Sequence, residues 1–357
     1  MKLEEEITKY LQEIKSERMD MSFGEIVNMF RDGEIIISPE YQRAFRWDEQ
    51  RQSNFIESIL LGIPFPSIFV ATNSDGKWEL IDGLQRISTV LSFFGELKED
   101  GKDYPKNKLI LKEGSLVKKL NGLTIDTLPL EYKLQIKRTP CRVEVIMKES
   151  DFKMRYELFK RLNTGGEGLS RQEIRNCIFR GLDSRYNDFV DNLSKNIKFR
   201  KLINISQSNE EMMYYEELVL RYFTLKNSGI RYTQSNIQDY MDDYLKKRCE
   251  DFDYSETEKD SELFNKIMDF LIQFQDDDIF KLGRRIFSTS MYDAIMLSLS
   301  ENSVDLSSIN RKDFLPKINE LKADTSFNSY VGSASSNPTS ITNKVKIAKR
   351  ILLGIEG

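Results

Sequence analysis

The stretch Ile81-Asp82-Gly83-Leu84-Gln85-Arg86-Ile87-Ser88-Thr89 joins two different patterns of secondary structure. Before it, residues 67–70 and 77–81 are rich in β-branched and aromatic residues, and Asn73-Ser74-Asp75-Gly76 between them predicts a hairpin turn. After it, apolar residues recur at helical spacing, at Ile87, Val90, Leu91 and Phe94. The sequence therefore predicts that Asp82-Gly83 is the corner at which a strand becomes a helix.

A corner of this kind carries polar groups that suit an anion. Backbone N–H groups at the start of a helix lack intrahelical acceptors and favour negative charge. Gln85 and Arg86 fall in the first turn, and a guanidinium can bind a phosphate or a carboxylate through two parallel hydrogen bonds. Asp82 fits three roles: a metal ligand, a group that orients water, or a cap of the helix. A capped turn and a functional centre are both open at this point.

Composition limits the chemistry that this chain offers. Its 357 residues include no histidine, which excludes histidine-dependent nucleophiles, histidine metal sites and HNH- or HEPN-type nuclease centres within the chain. With 39% hydrophobic and 31% charged residues, the chain is predicted to be globular, and its length predicts two or three domains. A net charge of −4 predicts no general affinity for nucleic acid, so phosphate contacts require a local basic patch.

The cysteines and the N-terminus predict a compartment. Cys141, Cys177 and Cys249 are far apart and form no C-x-x-C pair, which favours free thiols in a reducing cytoplasm. The acidic N-terminus carries no apolar leader, and no apolar run approaches the about 20 residues that span a bilayer. We expect a cytoplasmic protein without a membrane partner.

Upstream of the corner, the pattern predicts helices and one strand. Residues 3–17 carry a narrow apolar stripe, which predicts an amphipathic helix that could pair with another chain in an oligomer. Ser22 and Glu25 have capping-box spacing, which predicts a helix over 23–32 and then a strand at 34–38. A further helix is expected at about 49–61.

Between these elements lies Pro39-Glu40-Tyr41-Gln42-Arg43-Ala44-Phe45-Arg46-Trp47, which has neither helical nor strand periodicity. Two interpretations fit this segment: a loop whose aromatic residues pack on the core, and a loop that faces a ligand. In the second, Arg43 and Arg46 would bind anions, and Tyr41 or Trp47 would stack on a base.

Downstream of the corner, the pattern is weak as far as residue 128. We expect a charged loop at 96–102 and a short strand at 109–111, and residues 139–147 alternate as a strand that closes the first domain. Four basic residues form a cluster for which a solvated face and a phosphate-binding patch are both open: Lys133, Lys137, Arg138 and Arg142.

From residue 151 the pattern becomes helical. Ser170 and Glu173 have capping-box spacing for a helix that restarts after a glycine-rich loop at 164–168. This loop is not a P-loop. It fits a connector between helices, and it also fits a phosphate-binding loop with three arginines nearby: Arg161, Arg171 and Arg175.

The last part of the chain, from about residue 185, is predicted to be mainly helical. An acidic surface connection is expected at 250–262. A loop rich in Ser, Asn, Gly and Thr is expected at 326–342.

Four of these pieces occur together in an order that resembles one known family. They are Pro39-Glu40-Tyr41-Gln42-Arg43 followed by Trp47; Ile81-Asp82-Gly83-Leu84-Gln85-Arg86; the strand at 141–147; and Phe159-Lys160-Arg161-Leu162-Asn163 leading to Leu169-Ser170-Arg171-Gln172-Glu173-Ile174-Arg175-Asn176. Over about residues 20–180, the chain resembles the N-terminal domain of the GmrSD-type restriction endonucleases, a ParB/sulfiredoxin-like family.

The resemblance implies a fold and a site. The fold would be α+β: a ParB/sulfiredoxin-like domain over 1–150, a small mixed sheet with helices whose motifs extend to about residue 180, then a mainly α-helical region over 151–357. The family signature is Asp-Gly-Gln-Gln-Arg, in which Leu84 replaces the first glutamine. It implies that Asp82, Gln85 and Arg86 are catalytic, with Asp82 also the metal ligand. The implied nucleotide-binding residues are Tyr41, Gln42, Arg43, Trp47, Gly83, Arg161 and Asn163.

The implied function is an NTP-binding component of a bacterial anti-phage restriction system that hydrolyses the NTP with Mg²⁺. It would act as sensor or regulator beside a separately encoded nuclease or toxin effector. Many family members carry an HNH nuclease with essential histidines, so this chain, which has no histidine, is similar to stand-alone members.

A second class of function stays open because Leu84 departs from the signature. In that class the chain is an antitoxin-like module that binds DNA or a toxin without turnover, through basic residues of 133–142 and 171–180. A weaker third hypothesis is nuclease activity through carboxylates and Mg²⁺.

Overall fold

The computed structural model describes residues 3–5, 7, 15–42, 45–73, 75–99, 102–103, 107–147, 152–163, 169–180, 182–233, 237–274, 278–283, 286–301, 304–332 and 335–355. By internal packing, the chain divides into two compact units, Met1–Leu169 and Ser170–Gly357. A mixed sheet with helices is followed by a mainly helical region, which confirms the predicted α+β class. The division into domains after residue 150 and the ParB/sulfiredoxin likeness stay predictions.

A five-stranded mixed sheet organises the first unit. Its strands are β1 (Ser16–Ser22), β2 (Ile35–Ile36), β3 (Ile68–Thr72), β4 (Trp78–Asp82) and β7 (Pro140–Ile146), in the order β1-β7-β3-β4-β2. The short strands β5 (Lys98–Glu99) and β6 (Lys102–Asp103) form a separate hairpin. β3 and β4 form the predicted antiparallel hairpin, whereas β7 runs parallel to β3. The end of β4 therefore lies beside the beginning of β3, whose Ile68 pairs with Val143 of β7, and this part of the sheet positions the site.

The helices of the first unit form where amphipathic patterns meet caps. They are α1 (Phe23–Arg31), α2 (Pro39–Gln42), α3 (Glu49–Leu60), α4 (Leu84–Phe94), α5 (Leu130–Arg138) and α6 (Phe152–Asn163), with one 3₁₀ turn at Lys118–Leu120. Ser22 caps α1 by accepting a hydrogen bond from the Glu25 N–H at 3.2 Å, as its spacing predicts. Helix α3 contacts α4 and α5, and α6 contacts β4. The core combines the apolar sides of these helices with Val70, Leu80 and Val143 of the sheet.

Two expectations for the first unit are wrong or incomplete. Residues 3–5 and 7 are helical, but the helix expected over 3–17 cannot reach residue 17, because β1 pairs along its whole length with β7. No strand forms at 109–111, because the Leu111 backbone bonds to Gly122 and Leu123 in a loop. The sequence also missed the helices α2 and α5.

The second unit is helical, as predicted. Its helices are α7 (Arg171–Phe179), α8 (Ser184–Ser194), α9 (Ile197–Ile203), α10 (Gln207–Glu211), α11 (Tyr214–Ser228), α12 (Ile237–Glu250), α13 (Tyr254–Ile272), α14 (Thr289–Leu299), α15 (Arg311–Ala323), α16 (Thr325–Ser329) and α17 (Pro338–Ala348), with a π-helical turn at Lys349–Leu353. Two short strands, β8 (Lys281–Leu282) and β9 (Ile286–Phe287), pair with each other. Along the ranges described above, no helix is both long and apolar enough to cross a membrane.

Two connections predicted for the second unit are helices instead. The acidic segment 250–262 lies largely in α13, because Asp253 caps that helix and Asp260 pairs inside the unit with Lys226 at 2.7 Å. The loop expected at 326–342 contains most of α16 and the start of α17, which Asn337 caps through the Ser340 N–H at 2.7 Å.

Candidate functional site

The predicted corner is confirmed: β4 ends at Asp82, and α4 begins at Leu84. Gly83 between them has φ +99° and ψ 13°, in the left-handed region that favours glycine. A Cβ atom at this position would lie 2.6 Å from Cγ2 of Ile68, the first residue of β3. The corner therefore packs directly against the beginning of the neighbouring strand, and any larger residue at position 83 would strain both the backbone and this contact.

Asp82 at the end of β4 and Arg86 in the first turn of α4 form an ion pair across the corner. Arg86 Nη2 donates to Asp82 Oδ2 at 2.8 Å, and the side chains are 13% and 25% exposed for Arg86 and Asp82 respectively. Burial raises the pKa of the Asp82 carboxyl above its ordinary value, although the Arg86 charge and the Gly83 N–H oppose this effect. Asp82 is therefore a stronger base than an exposed aspartate, and it remains partly accessible to solvent.

Arg86 also fixes the segment that leads into β3. Its Nη1 donates to the carbonyl oxygens of Pro66 and of Ser67, the latter at 3.0 Å. The guanidinium thus contacts the corner on one side and the 66–67 backbone on the other. Because arginine carries five N–H donors, Arg86 can hold these partners and still offer a donor to a ligand.

Gln85 connects the corner to the aromatic segment upstream of α3. Its Oε1 accepts hydrogen bonds from the backbone N–H groups of Arg46 and Trp47, both at 3.0 Å. From the other side, Gln52 Nε2 donates to the Trp47 carbonyl at 2.7 Å. The Trp47 ring is half-buried and lies 5.8 Å from the Phe55 ring, so part of its surface faces solvent.

Tyr41 and Gln42 are buried, which changes what they can do. The Tyr41 hydroxyl donates to the Ile81 carbonyl at 2.8 Å, and its ring packs 5.7 Å from that of Phe159. Gln42 Nε2 donates to the Lys98 carbonyl. The stacking of Tyr41 on a base is therefore a wrong expectation, since its ring is enclosed by the protein. Tyr41 positions the chain at residue 81, and Gln42 positions it at residue 98.

Among the remaining predicted residues, the structure describes the side chain of Arg161. Arg43 and the glycine-rich loop 164–168 lie outside the described residues, as does the side chain of Asn163, at the end of α6. Arg161 on α6 is 80% exposed, with its Nε 3.9 Å from the Glu157 carboxylate. Because Phe159 of this helix contacts Tyr41, and Tyr41 bonds to residue 81, α6 lies next to the corner.

Arg175 is not available to a phosphate. It is fully buried in the second unit, where its Nε donates to Asp242 at 2.6 Å and its Nη2 donates to the Gln238 carbonyl at 3.0 Å. The predicted capping box of α7 is present in both halves, with Ser170 and Glu173 each bonded to the other's backbone N–H. This stretch of the family pattern therefore stabilises the helical unit.

A resident metal cluster is not part of the described chain. Where side chains are described, no three His, Cys, Asp or Glu residues lie together so as to hold a metal ion. Asp82 alone still fits Mg²⁺, because this ion usually keeps several waters and takes one or two carboxylates together with substrate phosphates.

Sequence reasoning missed two features near the corner. The first is Gln52, whose hydrogen bond to Trp47 no pattern predicted. Its position three residues before Phe55, on the apolar side of α3, could have indicated that it is buried. The other is an open cleft of about 690 Å³ that no sequence pattern indicated. It is lined by Asp20, Ile59, Gly62, Ile63, Pro64, Phe65, Ser67, Gln135, Thr139, Pro140, Arg142 and Glu144.

The fold and the site define a class of protein: an α+β domain with an acid–arginine pair at a strand-to-helix corner, next to a positioned aromatic segment. Residues 23–180 match the family model of the GmrSD restriction endonuclease, N-terminal domain, and this part of the chain belongs to that family. The match begins at the first residue of α1 and contains every predicted site residue. The family suggests a role in a phage restriction system. No curated protein and no solved structure gives a significant match.

Proposed function

We propose that this chain binds a nucleoside triphosphate at the 82–86 corner, hydrolyses it with Mg²⁺, and thereby regulates a separately encoded nuclease or toxin effector of a restriction system. One observation carries the proposal: a carboxyl group of raised pKa lies 2.8 Å from an arginine at the start of a helix, inside a domain of this family. We place this function in the cytoplasm, because all three cysteines are free and buried thiols.

Phosphoryl transfer needs charge stabilisation and positioning more than covalent chemistry. The N–H groups at the start of α4 and the Arg86 guanidinium would bind phosphate oxygens. Asp82 would accept a proton from the attacking water, a role that the raised pKa of its carboxyl favours. In the alternative role, Asp82 would hold Mg²⁺ together with the phosphates, and the ion would supply neutralisation of charge on the phosphate oxygens while lowering the basicity of the carboxylate.

The other members of the proposed site surround this centre. Trp47 would stack on the base, and Arg43 and Arg46 would face the phosphates. Arg161 and Asn163 would approach from α6, which contacts β4. Tyr41, Gln42 and Gly83 would act through the backbone that they fix, as their bonds to residues 81 and 98 and the left-handed φ of Gly83 indicate.

The departure from the family signature at Leu84 is compatible with this proposal. The residue is only 4% exposed, so the side chain at this position belongs to the core of the first unit. Leucine there adds apolar burial and removes no group from the solvent-facing side of the corner. We therefore expect the corner to keep its ligand-binding groups despite the substitution.

A phosphate-release assay on the full chain tests the proposal. Asp82→Asn removes the base and keeps the shape, so turnover of Mg-ATP or Mg-GTP should fall by about 100-fold or more. Asp126→Asn changes an exposed carboxylate of the same unit and should leave turnover unaltered. Equal turnover by wild type and Asp82→Asn would contradict the proposal.

The second candidate is a binding module without turnover. It is favoured by the hydrogen bonds of Gln85 and Arg86 to backbone groups of the protein, which give both residues a structural role without any ligand. Its DNA-binding form has less support, since Arg175 is buried and Arg142 pairs with Asp20 at 3.2 Å. If a DNA duplex binds this chain through phosphates, the affinity should fall steeply as salt rises. An affinity that is insensitive to salt would exclude such contacts.

A further inference from the structure

The backbone of Trp47 is held on both sides of its Cα atom by a glutamine pair, Gln85 and Gln52. Gln85 Oε1 accepts from the Arg46 and Trp47 N–H groups at 3.0 Å, and Gln52 Nε2 donates to the Trp47 carbonyl at 2.7 Å. The N–H and the C=O of Trp47 are therefore both bonded to side chains. These bonds hold the two peptide groups that flank the Trp47 Cα atom, and with them the direction in which the indole leaves the backbone.

The two glutamines come from different helices that contact each other. Gln52 lies in the first turn of α3, whose cap is Asp48, and Gln85 is the second residue of α4. Gln52 is buried, although polar side chains on the inner side of a helix are normally unfavourable unless they are bonded. The pair therefore links the position of Trp47 to the start of α4.

The chemistry of the bonds determines which way the Gln85 amide faces. A backbone N–H group only donates, so the two bonds from Arg46 and Trp47 have to go to the amide oxygen. The amide NH₂ group then lies on the far side of the same carbon. A water molecule that is to be activated needs an acceptor, and the acceptor of Gln85 is already bonded twice.

We propose that Gln85 is a positioning residue rather than the group that orients the attacking water. Together with Gln52, it holds the Trp47 ring as the platform on which the base of the nucleotide stacks. This inference rests on the proposed nucleotide site. It makes binding of the base depend on two glutamines that hold Trp47, and only one of them, Gln85, belongs to the signature motif.

The two roles of Gln85 give different results when each glutamine is replaced by the nearly isosteric methionine. A water-orienting Gln85 would affect kcat, and Gln52 would not matter. A positioning pair predicts that Gln85→Met and Gln52→Met each raise the nucleotide Kd about tenfold, with a smaller change in kcat, because each removes the hydrogen bonding on one side of the Trp47 Cα atom.

The test uses the full chain with Trp78→Phe, which leaves Trp47 as the one remaining tryptophan of two. Acrylamide quenching of Trp47 without nucleotide is compared with the Kd for Mg-ATP and Mg-GTP. Gln50→Met, on the exposed side of the same α3 helix, is the matched control. Gln85→Glu keeps an acceptor for both N–H groups and should restore wild-type quenching. Circular dichroism shows which variants are folded.

We expect stronger quenching and weaker nucleotide binding in both Gln85→Met and Gln52→Met, and neither in Gln50→Met. Wild-type behaviour of Gln52→Met overturns the inference, as does a loss of turnover in Gln85→Met with quenching and Kd unchanged. If the unsubstituted protein binds neither nucleotide, the proposed function fails and the platform with it. If the protein binds a nucleotide and neither glutamine substitution changes its Kd, the role of the glutamine pair is refuted and the proposed function stands.

Discussion

Replacing Gly83 by alanine tests the packing of the corner. Two costs apply: φ is +99°, and the new Cβ would lie 2.6 Å from Cγ2 of Ile68. A left-handed conformation costs an L-residue about 1–2 kcal/mol, and overpacking of a well-packed region costs about 1–3 kcal/mol. The free energy of unfolding of the first unit should therefore fall by about 2–5 kcal/mol.

Gly122→Ala separates the two costs. Gly122 has φ +81°, but nothing lies within 4 Å of the position that a Cβ atom would take there. This variant should lose only the about 1–2 kcal/mol of backbone strain. The difference between the two variants then measures the contact between the corner and β3.

Urea unfolding followed by tryptophan emission is the assay. Both tryptophans, Trp47 and Trp78, lie in the first unit, so their emission reports the unfolding of this unit. Equal midpoints for Gly83→Ala and Gly122→Ala would refute the close approach of the corner to Ile68. A Gly83→Ala variant as stable as wild type would refute the left-handed conformation as well.

Three further predictions concern titratable groups. Burial raises the pKa of the Glu57 carboxyl, but hydrogen bonds from the Val117, Leu116 and Ser115 N–H groups outweigh burial and hold this pKa below its ordinary value. The ionised carboxylate therefore stabilises the folded state fully above the unfolded-state pKa, and this stabilisation is lost as pH falls through the folded-state pKa. Glu57→Gln should lower stability at pH 7 by about 1–3 kcal/mol and flatten this acid dependence in urea titrations, and an unchanged dependence would count against the three bonds. Burial lowers the pKa of Lys344 to about 8, so above that pH the unfolded state binds more protons than the folded state does. The free energy of unfolding should therefore rise between pH 8 and 10 by at most about 1.4 kcal/mol per pH unit. Circular dichroism melts of Lys344→Met should lack this rise, and an equal rise in both proteins would contradict it. Burial raises the pKa of the Asp82 carboxyl, and the Arg86 charge opposes this effect, so turnover should fall with decreasing pH at a pKa above about 3.9. In Arg86→Met this fall should occur at a still higher pH. A pH–kcat profile in which Arg86→Met loses turnover at the same acid pH as wild type would exclude Asp82 as the base.

Local patterns explain what could be predicted of the fold. The β3–β4 hairpin, the corner and α4 follow from a turn sequence, a change of apolar period and the glycine at residue 83. The caps Ser22 and Ser170 also act within their own turns, so their spacing was sufficient.

The elements that were missed depend on distant partners. β1 exists because residues 16–22 pair with 140–146, more than a hundred positions away, so the local pattern could not show where the N-terminal helix has to end. Helix α5 gave little signal because only Ile136 of its residues is buried. The acidic residues of α13 resemble a solvated loop until their partners, such as Lys226 for Asp260, are known.

In the candidate site, too, some contacts follow from the local sequence and others from distant parts of the chain. Asp82 ends β4 and Arg86 lies in the first turn of α4, so their pairing follows from the local geometry of the corner at Gly83. The bonds of Arg86 to residues 66 and 67, and those of Gln85 to residues 46 and 47, require the tertiary structure. Tyr41 shows the limit most clearly, since an aromatic residue in a polar loop turned out to be buried against Phe159.

Calorimetric titration of the full chain with Mg-ATP and Mg-GTP, for wild type, Arg86→Ala and the exposed-arginine control Arg311→Ala, tests the central claim most directly. We predict that wild type and Arg311→Ala bind one of the nucleotides with the same Kd. Arg86→Ala should bind it at least tenfold more weakly, because a charge-assisted bond to phosphate contributes about 1.5–3 kcal/mol. Equal binding by all three proteins, or binding by none, would contradict a nucleotide site at the 82–86 corner.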